Sequence, residues 1–284
     1  MGYKPIPAIR SVKMIIKEIK CKRALNPCKI KGFDYTLNPY IGCPHGCVYC
    51  YARFMCRYRK EKEKWGEFVD VKINIPEILE EQIKHLKPGV VMISSVTDAY
   101  QALEKKYQIT RRCLKILAEH NFQIGLLTKS PLITRDIDIL KKFDTSTHQL
   151  GFTIICLDER DAKNFENNAP SVESRLKALK KLNEAGISTF VFIGPFIPKF
   201  SDKNLEELFK RFKEAGVKTV LIDKLNLKCG NWSEIKKVLD KYYPELAENY
   251  REKWLTNKYY KEIENKAIKL RDKYDLFLDL IFRH

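Results

Sequence analysis

The chain has 284 residues, of which 44% are hydrophobic and 31% charged, and its formal net charge is +17. This length is enough for one α/β domain with an extension, or for two small domains. No apolar run approaches the roughly 18 residues that a membrane helix requires, and the first residues, MGYKPIPAIRSVK, lack the apolar core of a signal peptide. We therefore expect a cytoplasmic protein that does not enter a membrane.

Short apolar runs alternate with segments of helical periodicity, a pattern typical of a parallel sheet built from β-α units. The predicted strands are 33–38, 90–95, 122–127, 150–155, 188–193 and 217–222. The predicted helices are 47–64, 76–86, 109–120, 134–142, 171–185 and 202–215. Pro76 suits a first helical position, Ser171 suits a cap, and Gly186 and Gly216 follow the helices that they would end.

The pattern changes from residue 229 onward. This segment has no strand alternation, and it carries many Tyr, Trp and Leu residues at helical spacing. We predict helices that pack on the sheet. An aromatic surface for nucleic acid is the alternative, which the near-neutral charge of the segment disfavours. The predicted organisation is a basic segment over 1–30, an α/β domain over 31–228 and C-terminal helices over 229–284.

Three of the nine cysteines, Cys43, Cys47 and Cys50, lie in the stretch NPYIGCPHGCVYCYAR with C-x3-C-x2-C spacing. Three thiolates can hold three corners of a cubic 4Fe–4S cluster and leave the fourth iron open to a small molecule, whereas an electron-transfer cluster uses four cysteines. A structural zinc site is the alternative, and His45 or Cys56 could complete its tetrahedral set.

The C-x3-C-x-aromatic-C spacing resembles the signature of the radical S-adenosylmethionine (SAM) superfamily. The chain is most similar to its spore photoproduct lyase-like branch, often labelled "DNA repair photolyase". The resemblance is carried by YTLNPYIGCPHGCVYCYAR (35–53), SSVTDAYQALE (94–104), ITRRCLKIL (109–117), LLTKSPLITRDIDIL (126–140) and RLKALKKLNEAGI (175–187). It implies a partial (β/α)6 TIM-like barrel and a lyase or transferase that binds a 4Fe–4S cluster and SAM. An external reductant would supply one electron to cleave SAM to a 5′-deoxyadenosyl radical.

The motifs of the resemblance follow different predicted strands. The cysteines follow the first strand, SSVTD ends the second, TKS ends the third and GP-x-x-P follows the fifth. In barrels of this kind the chemistry lies at the C-terminal strand ends. This coincidence favours the cluster over zinc.

The resemblance also implies contacts to SAM from side chains near these strand ends. Tyr49 would pack near the adenine, and Lys129 would bind the methionyl carboxylate. The other expected contacts are Ser95, Thr97 and Asp98 near the methionyl amino group or ribose, the hydroxyl of Thr153, and Arg175. Because Arg175 lies at a helix N-terminus, where the dipole disfavours a cation, it should have an anionic partner.

The substrate side departs from the family. Spore photoproduct lyase has a cysteine ahead of its T-x-D run that returns a hydrogen atom to the thymine, and Ser95 stands at that place here. An O–H bond is too strong for that step, so lesion repair by this route is disfavoured. Ala99, Ala102 and ENNAP (166–170) also depart from the family's pattern. Tyr51 and Cys56 are candidate hydrogen or radical relays.

The positive charge is concentrated near the cysteines. Residues 1–64 hold 15 of the 53 Lys and Arg residues but 4 of the 36 Asp and Glu residues. Such a surface attracts polyanions, so a DNA or RNA substrate for base repair or modification is the leading hypothesis. The alternatives are radical chemistry on a peptide or small molecule with the charge serving heat stability, or a non-catalytic iron–sulfur or zinc module that binds nucleic acid.

Overall fold

The computed structural model describes residues 14–60, 62–144, 149–227 and 229–281. The strands are β1 Ile15–Ile19, β2 Leu25–Pro27, β3 Tyr35–Leu37, β4 Tyr40–Ile41, β5 Phe68–Lys72, β6 Val90–Ile93, β7 Gln123–Thr128, β8 Gln149–Thr153, β9 Thr189–Phe196, β10 Thr219–Lys224 and β11 Phe277–Leu280.

Helices connect most of these strands. The α-helices are α1 Ile75–Ile83, α2 Glu104–Tyr107, α3 Ile109–Glu119, α4 Ile137–Leu140, α5 Glu159–Phe165, α6 Val172–Glu184, α7 Leu205–Glu214, α8 Trp232–Tyr242, α9 Pro244–Ala247, α10 Tyr250–Trp254 and α11 Asn257–Tyr274. Two 3-10 helices span Tyr51–Tyr58 and Pro131–Asp136. In the described part of the chain, no helix is both long and apolar enough to cross a membrane.

The main sheet has eight strands in the order β11-β10-β9-β8-β7-β6-β3-β2. All neighbouring pairs from β11 to β3 are parallel, and β2 is antiparallel at one edge. The six predicted strands are β3 and β6 to β10. Because β2 and β11 are sheet edges that do not pair with each other, the sheet is open. The predicted partial barrel is confirmed.

Helix α7 illustrates how the helices cover the sheet. Its buried side chains are Leu205, Leu208, Phe209 and Phe212, at the i, i+3, i+4 and i+7 spacing of a single helical face. Strand β9 contributes the buried Val191 to the apolar core. Burial of each such side chain is worth about 1.5–3 kcal/mol, which explains why these runs become paired layers.

Several elements were missed or misjudged. A second sheet of order β1-β5-β4 was not predicted, because its strands have at most five residues and are interrupted by charged ones. Of the predicted helix 47–64, only Tyr51–Tyr58 is helical, as a 3-10 helix. The 134–142 prediction is divided between a 3-10 helix and α4, and α5 was missed.

The C-terminal segment contains more than the predicted helices. It ends in β11, which pairs in parallel with β10 and extends the main sheet. The prediction of helices alone over 229–284 is therefore incomplete, because the apolar run LFLDLIF was overlooked. Residues 1–13 of the predicted basic segment 1–30 lie outside the described residues. We propose the boundaries near 30 and 228 only as divisions along the sequence.

Candidate active site

The cysteine loop lies between β4 and the 3-10 helix Tyr51–Tyr58. At its start Gly42 has a φ of +87°, and a Cβ there would lie 2.3 Å from the carbonyl oxygen of Phe68 in β5. Only glycine fits both this backbone conformation and this close approach. The Cys50 N–H donates to the Cys47 carbonyl at 3.2 Å, which closes the second half of the loop. The loop is therefore held against β5 by its own backbone.

All three thiols of the loop have raised pKa values. Burial is the main cause for Cys43, Cys47 and Cys50, and it raises the pKa of Cys47 to about 12. The thiolates also raise one another's pKa, which places them close together. All three are free thiols. Bound metal stabilises the thiolates that burial disfavours, so this donor set suits an iron–sulfur cluster.

The structure disfavours a zinc site at the cysteine loop. Among the described residues, no three His, Cys, Asp or Glu side chains converge on a point that one metal ion could occupy. A cubane does not require such convergence, because its thiolates bind separate irons. The two proposed zinc partners have other neighbours: His45 Nδ1 lies 3.5 Å from Asp98 Oδ2, and Cys56 lies in the field of Arg53 and Arg59.

Glu166, which sequence reasoning did not select, is the centre of the ionic contacts beside the loop. Its carboxylate accepts a short hydrogen bond from the Tyr49 hydroxyl. It forms an ion pair of 2.5 Å with Arg175 Nη2 and a longer contact of 3.9 Å with Lys129 Nζ. Burial alone would raise the pKa of Glu166, but Arg175 and Lys129 outweigh burial and lower it. The carboxylate is therefore charged at neutral pH.

Arg175 is almost wholly committed to protein acceptors. Its Nε and Nη2 donate to the Pro170 carbonyl at 3.0 and 2.7 Å, and its Nη1 donates to the Thr153 carbonyl at 2.9 Å. The side chain is 1% exposed. The anion that its helical position requires is Glu166. These contacts indicate that Arg175 joins the start of α6 to the end of β8, and they leave little donor capacity for SAM.

Lys129 is held where β7 ends. Its ammonium lies 5.6 Å from the centre of the Tyr49 ring, a cation–π distance. Burial opposes its charge, but the nearby Cys47 and the Glu166 carboxylate more than compensate, so the pKa of Lys129 is raised. The ion pair with Glu166 is longer than a hydrogen bond, so the ammonium retains donors for another acceptor.

Asp98 connects the second and third strand ends. Its Oδ1 accepts from the Tyr100 N–H at 2.9 Å and from the Thr128 hydroxyl at 2.7 Å. Its Oδ2 accepts from the Lys129 N–H at 2.9 Å and faces His45. A carboxylate has about four acceptor sites, and these hydrogen bonds occupy three of them. Asp98 therefore fixes the backbone beneath Lys129.

The other predicted hydroxyls near the second strand end also have protein partners. The Thr97 hydroxyl donates to the Gly42 carbonyl at 2.6 Å, which ties this strand end to the cysteine loop. The Ser95 hydroxyl accepts from the Asn38 side-chain amide at 3.2 Å. Thr153 is buried beside Arg175. The predicted SAM contacts are thus grouped around one loop, with several engaged in holding it.

The two predicted relays differ in position. The Tyr51 hydroxyl donates to the Ser95 carbonyl at the end of β6, and half of the residue is exposed. Cys56 lies further along the 3-10 helix, near Arg53, Arg59 and Glu63. Tyr51 therefore lies at the strand ends, whereas Cys56 lies among the charges of its own segment.

The C-terminal segment supplies two site neighbours that sequence reasoning missed. The Asn231 side-chain amide donates to the Tyr49 carbonyl at 2.7 Å and to the Asn226 carbonyl at 2.8 Å, and the residue is fully buried. Cys229 lies close enough to Cys50 and Tyr51 to raise their pKa values. Neither residue belongs to a motif, so nothing in the sequence signalled these contacts.

A cleft of about 710 Å³ opens beside the loop. Pro44 and His45 line one side, and Lys105, Arg135 and Lys181 contribute positive charge from other elements. The three cysteines and Lys129 do not line it. The cleft is therefore next to the ionic centre but separate from it.

The amino-acid sequence of this chain matches a known protein family. A family model described as the Radical SAM superfamily matches residues 37–212. An uncharacterised protein of Methanocaldococcus jannaschii is 40% identical over 260 residues, which cover 92% of this chain and 95% of the relative. An uncharacterised protein of Acidianus two-tailed virus is 29% identical over 254 residues, covering 79% and 83% of the two chains.

Solved structures share the fold. Spore photoproduct lyase complexed with dinucleoside spore photoproduct superposes with a TM-score of 0.68 at 15% identity, covering 93% of this chain and 81% of that one. A variant of that enzyme with bound AdoMet and dinucleoside spore photoproduct gives 0.69 at 15% identity, covering 98% and 87%.

The thiol assignment predicts the effect of single substitutions on iron content. Replacing Cys43, Cys47 or Cys50 with Ala should abolish assembly of an intact 4Fe–4S cluster and SAM cleavage, because three thiolates are all that the loop offers. Cys229→Ala is the matched control and should keep about four irons per chain. Iron and sulfide analysis after anaerobic reconstitution measures cluster assembly in each variant, and release of 5′-deoxyadenosine measures SAM cleavage. A Cys43→Ala protein with normal iron and activity would contradict the assignment, as would loss of the cluster in Cys229→Ala.

The buried ion pair predicts a difference in stability. Glu166→Gln should lower the free energy of unfolding by about 3–5 kcal/mol, because it leaves the Arg175 charge buried without its partner. Glu173→Gln is the control, since Glu173 pairs with Arg211 on the surface and should cost no more than about 1 kcal/mol. Urea unfolding of the reduced apoproteins compares them. An equal loss of unfolding free energy in the two variants would show that the buried pair contributes no more stability than the surface pair.

Proposed function

Because the chain belongs to the radical SAM superfamily, we propose that it directs radical chemistry at a nucleic acid, to repair or modify a base. The chain is a radical SAM enzyme, and its cofactors are a 4Fe–4S cluster and SAM. When bound, the reduced cluster supplies the electron for cleavage of SAM. What this chain's residues contribute is binding, orientation and exclusion of side reactions.

In this proposal Cys43, Cys47 and Cys50 hold the cluster, and Lys129 binds the methionyl carboxylate. Lys129 is favoured over Arg175 because the guanidinium already donates to two carbonyls and pairs closely with Glu166. Tyr49 would present its ring to the adenine, since its hydroxyl is fixed by Glu166 and its carbonyl by Asn231.

The other predicted site residues would hold the backbone and side chains of the site in position. Asp98 would position Lys129 through the backbone, and Thr97 would anchor the start of the cysteine loop. We assign Ser95 and Thr153 to the same supporting role. Because the Ser95 hydroxyl is bonded to Asn38 and has a strong O–H bond, the proposal includes no return of hydrogen from this residue.

The observation that carries the nucleic-acid proposal is the set of exposed cations in the described residues before and after the cysteine loop. Lys20, Lys22 and Arg23 are exposed in the N-terminal part, and Arg57 and Lys60 are exposed after the cysteines. Such cations bind phosphates and steer polyanions toward a site. The bound dinucleoside photoproduct in spore photoproduct lyase, a protein of the same fold, is consistent with this proposal.

Arg59 does not belong to this cationic surface. Its guanidinium pairs with Glu63 at 2.6 Å and with Asp70 at 2.5 Å, and it lies 4.3 Å from the centre of the Phe68 ring. These contacts neutralise its charge, so the proposed footprint is smaller than the sequence count suggested.

A small-molecule substrate is the second candidate. It is favoured by the cleft beside His45, whose volume of about 710 Å³ is in the range of ordinary ligand sites. Binding of the protein to DNA or RNA at low salt would favour a nucleic-acid substrate, and absence of such binding would favour a small molecule.

The proposed clamp predicts a loss of SAM affinity. Lys129→Ala should weaken SAM binding about ten- to a hundredfold, because it removes a charge-assisted contact of roughly 1.5–3 kcal/mol. Iron content should stay normal, which separates this effect from damage to the cluster loop. Equilibrium binding of SAM to the reconstituted protein measures the affinity. If Lys129→Ala binds SAM as tightly as the parent, the ammonium has no such contact.

The cationic surface predicts salt-dependent binding. Affinity for DNA or RNA should fall with salt, with a logarithmic slope of about −0.7 to −0.9 for each phosphate contacted. Charge reversal at Lys20, Lys22 and Arg23, or at Arg57 and Lys60, should weaken binding and leave substrate-free SAM cleavage unchanged. Reversal at Lys177 and Lys180, two exposed lysines of α6, is the control. Absence of binding at low salt to single and double strands would refute the nucleic-acid substrate.

A further inference from the structure

The surface that follows the cysteine loop has an unusual composition. Within residues 51–60 and 62–64, every exposed residue is a tyrosine or a cation. We call this set the tyrosine surface, and it comprises Tyr51, Arg57, Tyr58, Lys60, Lys62 and Lys64. Tyr51 is 50% exposed and Tyr58 is 75% exposed. Both tyrosines belong to one short 3-10 helix.

The nearby acidic side chains that the structure describes are already engaged. Glu63 is buried against Arg59, and Asp70 pairs with the same guanidinium. The Glu67 carboxylate accepts from the Lys64 N–H at 3.2 Å. Glu61 lies outside the described residues. The described carboxylates therefore do not neutralise Arg57 or Lys60, for which the described residues provide no ion-pair partner.

The tyrosine surface begins at the candidate active site. Tyr51 follows Cys50 directly, and its hydroxyl is bonded to the Ser95 carbonyl where β6 ends. This contact fixes one edge of the ring while half of the side chain stays exposed. At about 2 Å of rise and about a third of a turn per residue, a 3-10 helix places Tyr58 roughly 14 Å further along its axis and about 120° around it from Tyr51. A bound chain could therefore pass from Tyr58 to the site.

The chemistry of this surface fits a single strand better than a duplex. Exposed aromatic rings stack with unpaired bases of any sequence, and cations between them contact the phosphates. The bases of a duplex are already stacked on each other and cannot reach the rings without unpairing. A lone exposed tyrosine would need no explanation. Here two tyrosines lie beside a reaction centre with Arg57 and Lys60, which have no ion-pair partner among the described residues, and this combination offers a single strand both rings and cations.

We propose that the tyrosine surface binds single-stranded nucleic acid, with unpaired bases on Tyr58 and Tyr51 and phosphates on Arg57 and Lys60. This inference rests on the proposed nucleic-acid function and specifies the form of the substrate. It places the reacting nucleotide on the Tyr51 side, nearest the cysteine loop.

The test compares variants of the full-length reconstituted protein. The probes are fluorescently labelled DNA and RNA strands of about a dozen nucleotides, and the matching duplexes. Tyr58→Ala should weaken single-strand binding about five- to a hundredfold and leave duplex binding and the salt slope unchanged. Tyr58→Phe should restore affinity, because the ring is what stacks. Arg57→Ala should instead reduce the salt slope by about 0.7.

Controls separate stacking from general damage. Tyr242→Ala removes an exposed tyrosine elsewhere and should not change binding, and substrate-free SAM cleavage by Tyr58→Ala should equal that of the parent. Unchanged single-strand affinity in Tyr58→Ala overturns the tyrosine surface, as does equal weakening for duplexes or failure of Tyr58→Phe to restore binding. If the parent protein still binds nucleic acid in a salt-dependent way, these results contradict only the tyrosine surface and not the proposed nucleic-acid function. If the parent binds no nucleic acid at low salt, both proposals fail.

Discussion

The buried ion pair between Glu166 and Arg175 is the interaction on which the site's geometry depends. Each side chain is 1% exposed, so neither charge is compensated by water. Such a pair is stable only when further hydrogen bonds satisfy both groups. Here two carbonyls accept from the guanidinium and Tyr49 donates to one carboxylate oxygen, while the other oxygen, Oε2, has the Arg175 ion pair and no hydrogen bond among the described residues. The pair therefore fixes the cysteine loop, the end of β8 and the start of α6 relative to one another.

A second polar network joins two of the sequence blocks that carry the resemblance, SSVTDAYQALE (94–104) and LLTKSPLITRDIDIL (126–140). Asp98 of the first block accepts from Thr128 and Lys129 of the second. Tyr100 and Glu104 of the first block contact the RD pair of the second: Tyr100 donates to Asp136 at 2.9 Å, and Arg135 pairs with Glu104 at 2.9 Å. Asp136 and Glu104 are fully buried. Segments some 30 residues apart in sequence thus form one unit that positions Lys129.

Much of the fold could be predicted from sequence, because the spacing of apolar residues indicates which face of a strand or helix is buried. The six central strands and α7 bury regular apolar faces, and the motifs at the strand ends follow from parallel order. What was missed depends on tertiary contacts. Strand β11 exists because β10 offers an edge, and Asn231 acts on a loop 182 residues away. Similarly, Arg59 counts as a free cation in the sequence, whereas packing pairs it with two carboxylates.

We propose that the three thiols of the cysteine loop hold a cluster with one iron open to SAM. Electron paramagnetic resonance of the anaerobically reconstituted, reduced protein tests it most directly, with spectra recorded before and after addition of SAM. We expect a reduced-cluster signal that changes when SAM is added, because the small molecule would join the iron that lacks a protein ligand. A reduced-cluster signal that excess SAM leaves unchanged would contradict the claim.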